Sequence, residues 1–158
     1  MTEIEDVIHK AIVDSIVLDC VGENLPSFVL AHLSMTPDCV KVLDLHGNLN
    51  FMSENGMCAM EIDDFFKVVG HKWWDLWPEE SQSFVKSAFE RARAGEIVQF
   101  EAGCPTMKHN MRCWDVTVRA IYCPNGRVDK ILAVSRDVSG QRSGCAPCGG
   151  CLCRYGAN

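Results

Sequence analysis

No stretch of the chain approaches the ~20 consecutive apolar residues that a bilayer-spanning helix needs, and no membrane association is expected. Positive charge is scarce as well: 15 Lys and Arg stand against 21 Asp and Glu, a formal net charge of -6. Such a surface repels phosphate rather than collecting it, which argues against nucleic acid as a partner. The opening stretch MTEIEDVIHK is acidic where a secretory leader would be basic, so a cytoplasmic location is expected. Two glycine signatures are missing: there is neither a phosphate loop of the GxxxxGK[ST] type nor a GxGxxG dinucleotide fingerprint. Cys104 and His109 lie close in sequence, but no elbow or oxyanion signature surrounds them, and no enzyme activity is expected.

Cysteine, in contrast, is plentiful, with ten residues. In a reducing compartment these are expected to be thiols rather than a disulfide framework. Cys20, Cys39, Cys58, Cys104, Cys113 and Cys123 are dispersed singly, most beside apolar residues, the pattern of small buried hydrophobes. Cys145, Cys148, Cys151 and Cys153 crowd into CAPCGGCLC. Thiolates at that spacing can share a zinc or iron site. Strong zinc modules separate two such knuckles by about a dozen residues that fold around the metal, which this stretch lacks. Three readings stay open for it: a flexible tail without cofactor, a metal or iron-sulfur site, and a disulfide redox switch.

Thr2 with Glu5 three residues later is a capping box, and Ile4, Val7, Ile8, Ala11 and Ile12 recur at helical spacing, which predicts a helix over 3–19. Pro26 and the apolar SFVLAHLSM predict a second, so residues 1–35 read as a helical arm. The period then changes. CVKVLDL and NLNFMS are short extended runs joined by His46, Gly47 and Asn48, a hairpin turn. ENGMCAMEIDDFFKVVGHKWWDLW reads as short helices and loops. A longer helix begins at Pro78, with Glu79 and Glu80 in its first turn and Gly95 as its stop. EIVQFEA, RCWDVTVRAIY and VDKILAVSRDV alternate with period two, and CPNGR marks a turn before the last of them. The fold expected is α+β, an antiparallel sheet of about five strands with helices on one face.

In that order, VLDLHGNLNFMSENG, VVGHKWWDLWPEE, the helix end ERARAGE, CWDVTVRAIY and GRVDKILAVSRDVSGQR resemble a PAS sensory domain of bacterial signalling proteins, as found in the sensor histidine kinases of two-component systems. The resemblance covers about residues 36–142. It implies a five-stranded sheet enclosing a pocket, a binding and relay module rather than a catalyst, and dimerisation through flanking helices. Carried onto this chain, it implies a pocket walled by Phe65, Phe66 and Trp74, by Phe84, Val85, Ala88 and Phe89 of the long helix, and by Val98, Phe100, Trp114, Val116, Val118, Leu132 and Val134 of the strands. A packed core without a ligand is the alternative.

The resemblance also orders the cofactors. Flavin is improbable, because the segment that would carry the reactive cysteine, MEIDDFFKVVGHKWW, has none, and Cys58 has the wrong neighbours. Haem is a minority reading: residues 78–101 contain no histidine, which leaves His71 and His109 as variant ligands. In the family SRDVS runs into a signalling helix that leads to an effector. Here GQRSGCAPCGGCLCRYGAN carries four glycines before its last cysteine and a proline, and that helix is not expected. Residues 143–158 therefore read as a Cys/Gly-rich tail. Output is expected through a homodimer or a separate signalling partner, with a thiol-based metal or redox sensor using the four clustered cysteines as the alternative function.

Overall fold

The computed structural model describes residues 2–141 and 152–155. The chain divides into two units, Met1–Thr36 and Pro37–Asn158.

The first unit is helical. Helix α1 (Glu3–Val21) opens on the capping box: the Glu5 N–H donates to Thr2 Oγ1 at 3.3 Å and the Thr2 N–H to Glu5 Oε2 at 2.7 Å. Two amides that the helix cannot pair are thereby satisfied. A 3-10 turn, Gly22–Asn24, takes Gly22 through a left-handed φ of 52° into α2 (Leu25–Met35), whose Pro26 sits in the first turn where no N–H is needed. Ile4, Val7, Ile8, Ile12 and Ile16 of α1 are between 54% and 71% exposed, and α2 has no buried residue. No single helix among the described residues is long and apolar enough to cross a membrane, although α1 and α2 taken together reach the length and composition of one span.

The second unit is a sheet with helices over one face. Its elements are β1 (Cys39–Leu43), β2 (Leu49–Met52), α3 (Glu54–Ala59), 3-10 turns at Phe65–Lys67 and Trp73–Leu76, α4 (Glu79–Arg93), β3 (Val98–Pro105), β4 (Met111–Tyr122), β5 (Val128–Asp137) and β6 (Leu152–Tyr155). Strand order is β2-β1-β5-β4-β3-β6, antiparallel throughout. The first five are the strands that the sequence predicts. The sixth comes from the stretch read as a tail: Phe100 faces Tyr155 and Ala102 faces Leu152.

Alternation decides which residues enter the core. On β4 the inward set is Trp114, Val116, Val118 and Ala120, while Cys113 is buried outside the core cluster; on β5 the inward set is Ile131, Ala133 and Ser135. Val85, Ala88, Phe89 and Ala92 of α4 close over them. Acidic Glu79 and Glu80 at the start of α4 and basic Arg91 and Arg93 at its end suit the helix dipole. On β1 the inward positions are Cys39, Lys41 and Leu43, while Val40 and Val42 face the other way.

The β1–β2 hairpin is organised by Asp44, whose carboxylate accepts from the His46 N–H at 2.8 Å, the Asn48 N–H at 2.9 Å and Asn48 Nδ2 at 2.8 Å. Burial alone would push this carboxyl up, but the hydrogen bonds from Asn48 and His46 prevail and hold it below its ordinary value. Ser53 then caps α3, its Oγ accepting from Gly56 N–H at 3.2 Å and from Val40 N–H at 3.1 Å, which ties the helix to β1. Gly56 is packed against that strand. A Cβ there would lie 2.8 Å from Cys39 Sγ and 2.9 Å from Cys39 Cα, so backbone must move. Gly56→Ala is therefore expected to destabilise by about 1–3 kcal/mol, read as a lowered midpoint in urea unfolding. An unchanged midpoint would show that α3 can lift off β1 freely.

Candidate functional site

Between the inner face of the sheet and the segment from α3 to α4 lies a small cavity. Its volume is about 40 Å³. β1 contributes Lys41, β2 Met52, β4 Trp114 and β5 Ser135. Cys104 and Pro105 of β3 and Met107 beyond it line a second side, and Met60, Ile62, Val68, Trp73, Leu76 and Trp77 cover the rest. Three tryptophans and three methionines thus surround one ammonium, one hydroxyl and one thiol.

The aromatic side chains of the wall pack on one another. Trp73 and Trp77 meet edge to face with centroids 6.1 Å apart, Trp77 packs on Phe100 at 5.9 Å, and Phe100 on Phe84 at 5.2 Å. The Trp114 Nε1–H donates to the Cys104 carbonyl at 3.1 Å, which fixes the indole across the β3–β4 pair. Burial pushes the Cys104 thiol up to about 12, against the opposing pull of Lys41, so this sulfur stays protonated at neutral pH and is a poor nucleophile. An outer recess lined by Glu61, Asp63, Asp64, Lys67 and Lys108 shares Ile62, Val68 and Met107 with the cavity. Glu61, at a left-handed φ of 55°, accepts from Asn110 Nδ2 at 2.5 Å and Thr106 Oγ1 at 2.7 Å, and these bonds hold its carboxyl below its ordinary value. Together with the Met107 N–H bond to the Met60 carbonyl at 3.0 Å, they latch the segment after α3 to the β3–β4 turn beside the cavity.

Of the pocket residues carried over from the resemblance, Trp114 lines this cavity. Val85, Ala88, Phe89, Val98, Phe100, Val116 and Val118 are buried in the core around it, and Phe65, Trp74 and Phe84 pack on that core half-buried. Trp74 lies against Phe89, with Lys72 and Lys86 over its ring at 5.7 and 5.6 Å. Phe66 is 86% exposed, because the 3-10 turn Phe65–Lys67 is too short to bury both of its phenylalanines. Leu132 and Val134 alternate with Ile131, Ala133 and Ser135 and so lie on the opposite face of the sheet. The sequence reading passed over Lys41, Ser135 and the three methionines. The available signal was the period of β1, in which Lys41 stands between Cys39 and Leu43.

Cysteines and histidines fall into place differently from a cofactor site. Cys39 and Cys104 are free and buried, as expected of small hydrophobes, whereas free Cys20 and Cys58 are exposed. Cys20 lies on the uncovered arm and Cys58 on the outer side of a two-turn helix. Cys113 is buried and disulfide-bonded, against the expectation of a lone thiol. Cys145, Cys148 and Cys151 lie outside the described residues, and Cys153 falls within β6. Among the described residues no group of three or more His, Cys, Asp or Glu could hold a metal. All five histidines are exposed, His71 and His109 included, and none lines the cavity. No imidazole lines the cavity, so the described residues offer haem no axial histidine there.

A family model described as PAS fold matches residues 33–143. No curated protein matches. Among solved structures, the chain is similar to the PAS domain of an HTR-like protein from Haloarcula marismortui, with 21% identity and a TM-score of 0.59 over 73% of this chain and 93% of that one. It is similar to a PAS domain from Colwellia psychrerythraea, with 14% identity and a TM-score of 0.64 over 73% and 98%. A phage VqmA–DPO complex is a further likeness, with 16% identity and a TM-score of 0.58 over 76% and 56%. At these identities the structures speak for the fold, and the family match covers more than half of the sequence. Five antiparallel strands in the order β2-β1-β5-β4-β3, with short helices and α4 over an inward cavity, agree with both: the chain belongs to the PAS fold family of sensory and signalling modules.

Proposed function

We propose that this PAS domain is a non-catalytic sensor that holds a small organic ligand in the inner cavity and relays its occupancy through protein contacts. The observation that carries the reading is the cavity itself, an apolar chamber with a few convergent polar groups, the usual make-up of a small-molecule site. Relay would pass through the arm, where apolar residues of α1 stay exposed in the single chain and a second copy could cover them. The exposed apolar residues of α1 support a homodimer that contacts a signalling partner, and a cytoplasmic location is part of the same proposal.

Three of the four tryptophans line the cavity, so intrinsic emission reports occupancy directly. Titration with a panel of small organic compounds is expected to give, for at least one class, a saturable emission change and a matching rise in Tm. A panel that moves neither reading leaves a packed core and no ligand sensor. Sedimentation tests the relay: the chain is expected to self-associate, and Ile8→Asp with Ile12→Asp to weaken that association at least about tenfold. A wild-type chain that stays monomeric at high concentration defeats the dimer.

A further inference from the structure

Lys41 occupies the central inward position of β1, between Cys39 and Leu43, which are both wholly buried. It is 4% exposed, although a lysine stem is long enough to carry its head to water from many half-buried sites. Here the head stays inside. Nζ donates to Ser135 Oγ at 2.9 Å, to the Cys39 carbonyl at 3.2 Å and to Cys39 Sγ at 3.2 Å. It forms no ion pair with any described carboxylate. Of the two acidic residues nearest in sequence, Asp38 is held by Arg136 through bonds of 3.1 and 3.2 Å, and the Asp44 carboxylate accepts from His46 and Asn48. A buried ammonium among a hydroxyl, a carbonyl and a thiol lacks the counter-charge that normally accompanies such burial.

The cavity puts this charge to use. Lys41 and Ser135 line it side by side, and everything else around them except Cys104 is apolar. Ser135 Oγ accepts the Lys41 bond, and no acceptor for its own O–H is found among the described residues. An ammonium and a hydroxyl with a proton to give converge on one point, and thioether sulfur is a weak acceptor, as is the thiol that Lys41 would release first. We infer that the cavity takes a small organic carboxylate, its anionic group on Lys41 Nζ and Ser135 Oγ and its compact apolar body against Trp73, Trp77 and Trp114. Met52, Met60 and Met107 can change rotamer to admit a body larger than the present space. This inference rests on the ligand-binding reading above and narrows it to one chemical class.

The test compares acids with their uncharged isosteres on the whole chain. Butyrate and benzoate, followed by tryptophan emission at neutral pH, are expected to bind at least about tenfold tighter than butyramide and benzamide, because the amide carbonyl accepts the ammonium's hydrogen bond without supplying the opposite charge. Lys41→Met keeps the length of the stem, and it is expected to remove that preference by weakening the acids at least about tenfold more than the amides. Ser135→Ala is expected to weaken the acids more than the amides, and it supplies the same contrast if the lysine variant does not fold. Equal binding of acid and amide in the wild-type chain, or acid binding unchanged in Lys41→Met, overturns the carboxylate inference and leaves an occupied cavity standing. If acids, amides and uncharged indole all leave the emission unmoved, the ligand reading falls with it.

Discussion

Trp114→Ala is expected to lower the unfolding free energy by about 3–5 kcal/mol, the cost of deleting a large buried aromatic side chain. The indole is 2% exposed near the start of β4, between β3 and β5, with Ala102 and Asp137 opposite it in the ladders. Its loss also leaves the Cys104 carbonyl without its Nε1–H partner, which adds the desolvation of a buried acceptor. Urea unfolding followed by circular dichroism checks the magnitude. Phe66→Ala serves as the contrast, since a ring that is 86% exposed is expected to change stability by no more than about 0.5 kcal/mol. The variant also enlarges the chamber. Indole added to the Trp114→Ala protein is expected to restore part of the lost Tm, because a dry apolar void takes up an apolar guest of its own shape. A Trp114→Ala protein as stable as wild type would mean that the β4 register places this ring elsewhere.

The contrast between Trp114 and Phe66 also shows what the sequence could reveal. Long period-two runs were legible: Trp114, Val116, Val118 and Ala120 alternate over the 12 residues of β4, and the buried set follows from the pattern alone. The capping box of α1 and the charged ends of α4 were legible for the same reason, each being a local rule with a fixed spacing. β5 was harder. ILAVS is apolar at four successive positions, so hydrophobicity does not say whether Leu132 and Val134 or Ile131 and Ala133 turn inward. The partner register decides it, setting Ala133 against Val118 and Val134 against Thr117. On β1 hydrophobicity pointed the wrong way. The two valines look like the core face, yet the Ser53 cap and the close seat of Gly56 on Cys39 bring Cys39, Lys41 and Leu43 inward. Part of the cavity's wall comes from outside the strands, where Met60, Ile62, Val68 and Met107 follow no period. Their positions depend on Glu61 holding Thr106 and Asn110 across 45 and 49 residues of chain, a contact no local pattern encodes.

Raising the pH is expected to destabilise the protein through Cys104. Its thiol is 2% exposed, the Sγ–H lies 3.5 Å from the Leu76 carbonyl, and burial lifts its pKa from 9.0 to about 12. Below pH 9.0 the group is protonated in the folded and the unfolded chain alike and contributes no pH dependence. Between 9.0 and about 12 the unfolded chain releases the proton while the folded chain keeps it, so the unfolded state is favoured increasingly as pH rises. The slope is about 1.4 kcal/mol per pH unit, which amounts to about 2 kcal/mol by pH 10.5 and on the order of 4 kcal/mol across the full interval. Lysines and tyrosines titrate in the same range, so the diagnostic quantity is the difference between wild type and Cys104→Ala. That difference, from urea unfolding at pH 8 to 10.5, is expected to move steadily in favour of the alanine variant above pH 9 even though alanine fills less of the wall. Parallel curves would mean that the thiol is reached by water, and with it the floor on which Lys41 and Ser135 stand. A diverging pair would establish that the chamber is dry enough to keep a thiol protonated, and in such a medium one ammonium discriminates strongly between an anion and its neutral isostere.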